Sequence, residues 1–286
     1  MFSYTNFVEN GTSRPARAPV LRVDRTTSTN DLAAALLRDP DVATPPFTTV
    51  IADAQVAGRG RLGRTWTALP GRSLTASTLV RLPGTPAMRG AMAWALLADA
   101  LSVRESVDPR LAGPGRSVGV KWPNDVVVDG SRKIAGLLGE AAGDVDGDGL
   151  WAVIGVGLNI AMEPAERPTP QATALSLEGD ETAGPDPREA AQEILEAHLA
   201  GLERRVRALI ACNGDARRAG VLDELRGHCV TLGRPVTVRA PDGRGDLPSD
   251  GAVARDILPD GSLAVGLPDG STRTVTAGDV EMVSPP

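Results

Sequence analysis

The strongest constraint on the fold is a change in how strand-like segments are spaced along the chain. Up to Asn159, runs rich in Val, Ile, Leu, Thr and Ala recur at Val20–Val23, Phe47–Ala54, Ser73–Val80, Val118–Lys121, Val126–Val128, Ile134–Ala141 and Leu150–Asn159. Runs of this length and composition read as strands. Helical periodicity interrupts them at Asn30–Arg38 and Ala87–Val107, where apolar residues recur every three or four positions. The pairs Asp129-Gly130 and Asp148-Gly149 are hairpin turns. Glu163–Pro187, rich in Pro, Thr and acidic residues, reads as a long irregular loop. Arg188–Ala211 is an amphipathic helix, and Asp215–Arg226 reads as another. After Gly233 the spacing shortens. Pro235–Ala240, Ala252–Leu258, Ser262–Leu267 and Thr272–Val275 are split by Asp-Gly turns at Asp242, Asp260 and Asp269. That is the pattern of a small antiparallel barrel of about 55 residues. The expected architecture is α+β: a flexible tail over residues 1–18, a large domain with a mixed or antiparallel sheet over 19–230, and a small β domain over 231–286.

Composition narrows the function. A net charge of −6 on 286 residues argues against a general binder of nucleic acid or membrane surfaces. No apolar run approaches the roughly 18 residues of a membrane span, and no basic-then-apolar leader is evident. Cys212 and Cys229 form no motif and read as buried thiols of a cytoplasmic protein. His198 and His228 are the only histidines and pair with no cysteine at ligand spacing, so no zinc site is expected and metal ligands stay unassigned.

Chemistry concentrates in four segments. The chain has 28 arginines but only two lysines, Lys121 and Lys133, and both fall in the stretch Lys121-Trp-Pro-Asn-Asp125 to Arg132-Lys133-Ile-Ala-Gly136. A lysine is a compact point charge on a thin stem, which arginine does not replace in a tight site; an ordinary solvated surface is the alternative. The run Gly58-Arg59-Gly60-Arg61-Leu62-Gly63-Arg64-Thr65-Trp66 follows a strand after Gln55. Its glycines let the backbone turn tightly and present N–H groups, and its arginines are forked donors for anions. An exposed basic loop is the alternative. A single-strand nucleic-acid loop fits poorly with one aromatic in an acidic chain. Neither a Walker loop nor a dinucleotide fingerprint is present. Thr27-Ser28-Thr29-Asn30-Asp31 precedes a helix and also serves as a helix cap. Gly155-Val-Gly157-Leu-Asn159 is also a buried strand end with close backbone approach. The arginines of the loop repel one another, which predicts a loop that is mobile until an anion arrives.

Taken together and in order, Asn30, Gln55, the Gly-Arg-Gly-Arg-x-Gly-Arg loop, Lys-Trp-Pro-Asn-Asp, Arg-Lys-Ile-Ala-Gly and Gly-Leu-Asn resemble the biotin protein ligases over about residues 20–286. The resemblance implies a catalytic domain of the class II synthetase-like biotin/lipoate ligase type and an SH3-like C-terminal barrel. It implies two steps: ATP, with Mg2+, activates the biotin carboxylate to biotinyl-5′-AMP, and a carrier lysine then displaces AMP. The acceptor would be the biotin carboxyl carrier domain of an acetyl-CoA, acyl-CoA or pyruvate carboxylase. By the same resemblance Lys133, Arg61 and Asp125 are catalytic. Ser28, Thr29, Asn30, Gln55, Gly58, Arg59, Gly60, Arg61, Trp66, Lys133 and Gly136 bind biotin. Arg59, Arg61, Arg64, Trp66, Lys121, Asn124, Lys133 and Asn159 bind the nucleotide. Asp125 would orient the carrier lysine, and Lys121 the Asp or the phosphates. About twenty residues before the first strand are too few for the DNA-binding domain of bifunctional members, so no DNA binding is expected. A monomer or weak homodimer is expected. A lipoate or octanoate transferase of the same broad fold, and a non-catalytic binding protein, are the competing readings.

Overall fold

The computed structural model describes residues 18–111, 115–143, 149–239, 246–247 and 251–283. The expected tail before Ala18 and the turns at Asp148 and Asp242 lie outside the described residues. The chain runs β1 (Val20–Thr26), α1 (Thr29–Arg38), β2 (Thr49–Gln55), β3 (Ser73–Pro83), α2 (Pro86–Gly90), α3 (Met92–Val107), β4 (Val118–Lys121), β5 (Asp125–Val128), β6 (Arg132–Gly143) and β7 (Gly149–Asn159). It continues through α4 (Pro187–Ala211), α5 (Val221–His228), β8 (Val236–Arg239), β9 (Val253–Ile257), β10 (Leu263–Gly266), β11 (Thr272–Val275) and β12 (Asp279–Met282).

β1 to β7 form one mixed sheet in the order β1-β2-β3-β7-β6-β5-β4. Only the β1–β2 pair is parallel. Alternation along each strand sorts side chains to two faces. On β2 and β7, Ile51, Val156 and Leu158 join a core with Trp94, Leu97 and Leu101 of α3, and Ile194 and Leu195 of α4. Val50 and Val153 point the other way and meet Ala33, Leu36 and Leu37 of α1. Helices α3 and α4 thus cover one face. On the opposite face α1 covers part, and the remainder stays open around Gly136, Gly155 and Gly157. The hairpin Asp129-Gly130 has φ of 47° and 75°, the left-handed pair that a tight two-residue turn requires.

Two expected helices differ. The periodicity over Ala87–Val107 is split at Ala91 (φ −92°, ψ 5°) into α2 and α3, because Pro86 and the Thr85 cap start a separate short turn. The segment Asp215–Arg226 is helical only from Val221, since Gly220 takes φ 78° and closes the preceding turns. Inside the irregular stretch after β7, two short 3-10 turns form at Pro164–Glu166 and Leu175–Glu178.

The small C-terminal strands form a three-stranded sheet, β11-β10-β9, and a pair, β12-β8, all antiparallel. This is consistent with an SH3-like arrangement. Strand β12 is absent from the sequence expectation, because Gly278 and a short polar run hide it. The small sheets share one apolar cluster with the large sheet, through Val236, Ala254, Ile257 and Leu263. Two buried indoles fasten the junction: Trp94 Nε1 donates to Pro259 O at 2.8 Å, and Trp122 Nε1 to Gly261 O at 3.0 Å.

Candidate active site

A cleft of about 340 Å3 opens over the uncovered face. Its floor is glycine because a side chain lies on it. A Cβ on Gly157 would stand 2.2 Å from Trp66 Cε2, and one on Gly136 2.9 Å from Trp66 Cζ3. Trp66 therefore rests flat against β6 and β7, and the Lys133 ammonium sits 5.6 Å above its ring. The Trp66 Nε1 atom is buried without a hydrogen-bond partner among the described residues.

One wall is polar and pre-bonded. Ser28 caps α1. Thr29 donates from N and Oγ1 to Gln55 Oε1 at 2.8 and 3.2 Å. Ser77 Oγ lies 2.7 Å from Thr29 Oγ1 and 2.6 Å from Asn30 Oδ1. Asn30 Nδ2 donates to Leu138 O and to Glu140 Oε2 at 2.6 Å. Gly155 leaves room for this amide, as its Cβ would stand 2.3 Å from Asn30 Oδ1. Both Asn30 side-chain atoms are thus spent on the protein, as are the Thr29 donors and Gln55 Oε1, while the Ser28 hydroxyl and Gln55 Nε2 make no hydrogen bond among the described residues.

The Gly/Arg loop forms the rim. Gly60 N donates to Arg64 O at 2.7 Å, Trp66 N to Gly58 O at 2.9 Å, and the apex Leu62-Gly63 takes φ of 55° and 73°. Each arginine already has partners. Arg59 reaches Asp31 Oδ1 at 2.7 Å and Glu140 Oε2 at 2.9 Å. Arg61 donates to Asn124 Oδ1 at 2.9 Å and to Gly278 O at 3.0 Å. Arg64 pairs with Asp279. Opposite them, Lys133 Nζ lies 2.7 Å from Asp125 Oδ1. Four cations thus face Asp31, Glu140, Asp279 and Asp125. These carboxylates offset part of the mutual repulsion of the arginines on which the expectation of a mobile loop rested. Burial draws the Arg61 guanidinium below its ordinary value, while Asp125 and Asp279 oppose that shift and Arg64 adds to it. The bond to Asp279 pushes Arg64 up.

Of the sequence-derived residues, Ser28, Thr29, Asn30, Gln55, Arg59, Gly60, Arg61, Arg64, Trp66, Asn124, Asp125, Lys133, Gly136 and Asn159 line the cleft together. Two do not. Gly58 lies on the loop's outer side, where its missing side chain admits Trp66 O, 2.5 Å from the Cβ position. Lys121 ends β4 beside the cleft and is not part of its lining. Arg59 is held by two carboxylates rather than left free for an anion. Asn124 also bonds Leu137 O at 2.8 Å, and Asn159 Nδ2 bonds Thr173 O at 2.9 Å. Sequence reasoning missed Asp279, Glu140 and Ser77, whose partners are 215, 110 and 47 residues away. It also missed Pro168, Thr169 and Ala172, which line the cleft from the irregular stretch. There Lys133 N donates to Gln171 O at 2.7 Å and Thr173 N to Lys133 O at 2.9 Å.

A mixed sheet covered by helices on one face, with a cation-rimmed cleft on the other, is the architecture of the protein ligases that handle biotin and lipoate. The profile of the Biotin/lipoate A/B protein ligase family matches residues 22–159. A biotin–[acetyl-CoA-carboxylase] ligase of Mycobacterium tuberculosis is 36% identical over 259 residues, covering 90% of this chain and 86% of the relative. Another from Paracoccus denitrificans is 38% identical over 172 residues, covering 58% and 65%. The fold is shared with the biotin protein ligase of Aquifex aeolicus, solved with biotin and ATP, at a TM-score of 0.64, 20% identity and coverage of 92% and 98%. The chain belongs to the biotin protein ligases. Among the described residues no helix is long and apolar enough to cross a membrane.

Proposed function

We propose that this enzyme joins biotin to one lysine of a biotin carboxyl carrier domain, that of acetyl-CoA carboxylase being the first candidate, through biotinyl-5′-AMP. The observation that carries the reading is the set of cations converging on a glycine-floored cleft, with Lys133 at its centre. In the first half-reaction the biotin carboxylate oxygen attacks the α-phosphorus of ATP and pyrophosphate leaves. Ser28, Thr29 and Gln55 would bond the ureido group, whose N–H and C=O need partners once buried. Lys133 would leave Asp125 and bridge the biotin carboxylate and the α-phosphate, a place suited to a point charge. Arg61 and Arg64 would exchange Asn124 and Asp279 for phosphate oxygens. Arg59, Gly60 and Gly136 would close over biotin, Trp66 would stack beside the adenylate, and Asn124 and Asn159 would face the nucleotide.

In the second half-reaction the carrier amine attacks the anhydride carbonyl and AMP leaves. Asp125, released by Lys133, would orient that amine. No covalent enzyme intermediate is needed, and alignment supplies much of the rate. Among the described residues no group of three or more His, Cys, Asp or Glu could hold a metal ion. Mg2+ would arrive on the ATP phosphates, as is common for this ion, and no step is assigned to it. Residues 19–230 would form the catalytic domain, and 231–286 the small domain that supplies Gly278 and Asp279 to the loop. The test is pyrophosphate release from ATP by the purified protein without carrier. Release that depends on biotin and not on lipoate or octanoate supports the reading; release with lipoate alone overturns it.

A further inference from the structure

The residues crossing the open face continue past the cleft. Register pairs Thr75 with Gly157, Gly157 with Gly136, Gly136 with Asp125, and Asp125 with Lys121. Residues paired in this way put their side chains on one face, with Cβ atoms about 4.5–5.5 Å apart. Lys121 therefore stands on the same face as the cleft, one strand beyond Asp125. Its side chain makes no hydrogen bond or ion pair among the described residues, unlike Lys133, which is held by Asp125 from β6 on the other side. The chain's two lysines flank one carboxylate from neighbouring strands.

The incoming carrier lysine poses a problem at that carboxylate. An ammonium has no lone pair and cannot attack. A carboxylate that draws the lysine in also favours its protonated form, whereas a nearby cation disfavours it. We propose that Lys121 is a positioning residue of the transfer half-reaction: its ammonium shares Asp125 with the arriving carrier lysine and favours the neutral, nucleophilic amine. This rests on the ligase reading above. A lysine made nucleophilic by a neighbouring cation is an established device. The ammonium first gives a proton to water. The amine nitrogen then bonds the anhydride carbonyl carbon, its remaining extra proton passes to Asp125 and on to water, and the C–O bond to phosphate breaks with the electron pair leaving on AMP. The charged groups facing the nucleophile are Lys121 from β4, Asp125 from β5, Lys133 from β6, Arg61 and Arg64 from the loop, and Asp279 from β12. Behind β4, Arg104 of α3 donates to Val118 O at 3.0 Å; on the Lys121 face, two residues back along the strand, the His228 backbone and the Val230 side chain lie against Gly119.

A unit charge about 7 Å away at an effective dielectric near 20 moves an amine by between one and two pH units, and partial exposure of Lys121 brings this to about one. The experiment mixes chemically made biotinyl-5′-AMP with enzyme and purified carrier domain, and measures single-turnover transfer against pH. Lys121→Gln and Lys121→Met should each shift the profile alkaline by about one unit. At neutral pH each should lower the ratio of transfer to adenylation about tenfold. Lys121→Arg should keep the parent profile. A profile unmoved in either soluble neutral variant, or equal losses in both half-reactions, overturns the proposal. Failure of the parent protein to transfer from biotinyl-5′-AMP at all would instead refute the ligase reading.

Discussion

The glycine at position 157 offers the sharpest mechanical test of the cleft. Gly157→Ala places a methyl carbon 2.2 Å from Trp66 Cε2 and 2.3 Å from its Nε1. Uncrowded carbon contacts lie near 3.5–4.0 Å, so the indole must retreat by more than about 1 Å. It cannot sink into β6 or β7, because those strands are backbone at Gly136 and Gly157. It must lift toward Lys133, into the space a ligand would occupy. Overpacking of this kind costs about 1–3 kcal/mol. At 1.4 kcal/mol per tenfold, affinity for biotinyl-5′-AMP should fall by about one to two orders of magnitude. Trp66 belongs to a partly exposed loop, so the melting temperature should change far less than affinity. Isothermal titration with a non-hydrolysable adenylate analogue reads the first quantity and calorimetric unfolding the second. Gly139→Ala is the control, since its Cβ would meet Leu96 at an ordinary 3.6 Å. Affinity of Gly157→Ala within twofold of the parent would refute the reasoning that Trp66 and the glycine floor together shape the ligand site.

Lys133→Arg keeps the charge but widens the head group, and adenylation measured by pyrophosphate exchange should drop about 100-fold or more; near-parental exchange would mean that shape at this position is immaterial. Asp279→Asn removes the acidic partner of Arg64, so hydrogen exchange of residues 58–64 in the empty protein should quicken; unchanged protection would show that β12 does not hold the loop. Glu178 is buried against Arg132, Arg116 and Thr173. Burial raises its carboxyl, but the bonds from Arg132, Thr173 and Arg116 outweigh that and hold it below the ordinary range. A depressed folded value contributes stability above the unfolded value of about 4.3 and loses it as pH falls through the folded value. Glu178→Gln should therefore cost about 2 kcal/mol at neutral pH, with the gap to the parent closing in acid; a gap independent of pH would contradict the sign.

The features readable in the sequence were those set by neighbours in the chain. Turn chemistry located the Asp129-Gly130 hairpin, runs rich in Val, Ile, Leu, Thr and Ala located β1 to β7, and spacing of glycine and arginine located the rim. The Gly/Arg loop, Lys133 and Asn124 gathered in one cleft because each lies at or next to an end of a strand of one sheet. What stayed hidden depends on contacts between distant segments. Nothing near Asp279 in sequence signals that Arg64 lies beside it, and nothing near Glu140 signals Asn30 and Arg59. Ser77 reads as one more small residue in a buried strand until α1 folds over it. The same limit applies to Lys121. Its retention as lysine drew attention to the segment, but only strand register puts it on the open face beyond Asp125. Gly220 and Ala91 show the converse: helical periodicity continued through them, and backbone conformation broke it.

The central claim is that the cleft activates a biotin carboxylate and delivers it to one lysine of another protein. The most direct measurement incubates the protein with biotin, ATP and a purified biotin carboxyl carrier domain, then locates any added mass by peptide mass spectrometry. One biotinyl group on the carrier's single acceptor lysine, dependent on ATP and lost in Lys133→Arg, is the expected result. An unmodified carrier beside a protein that binds biotin and ATP would contradict it.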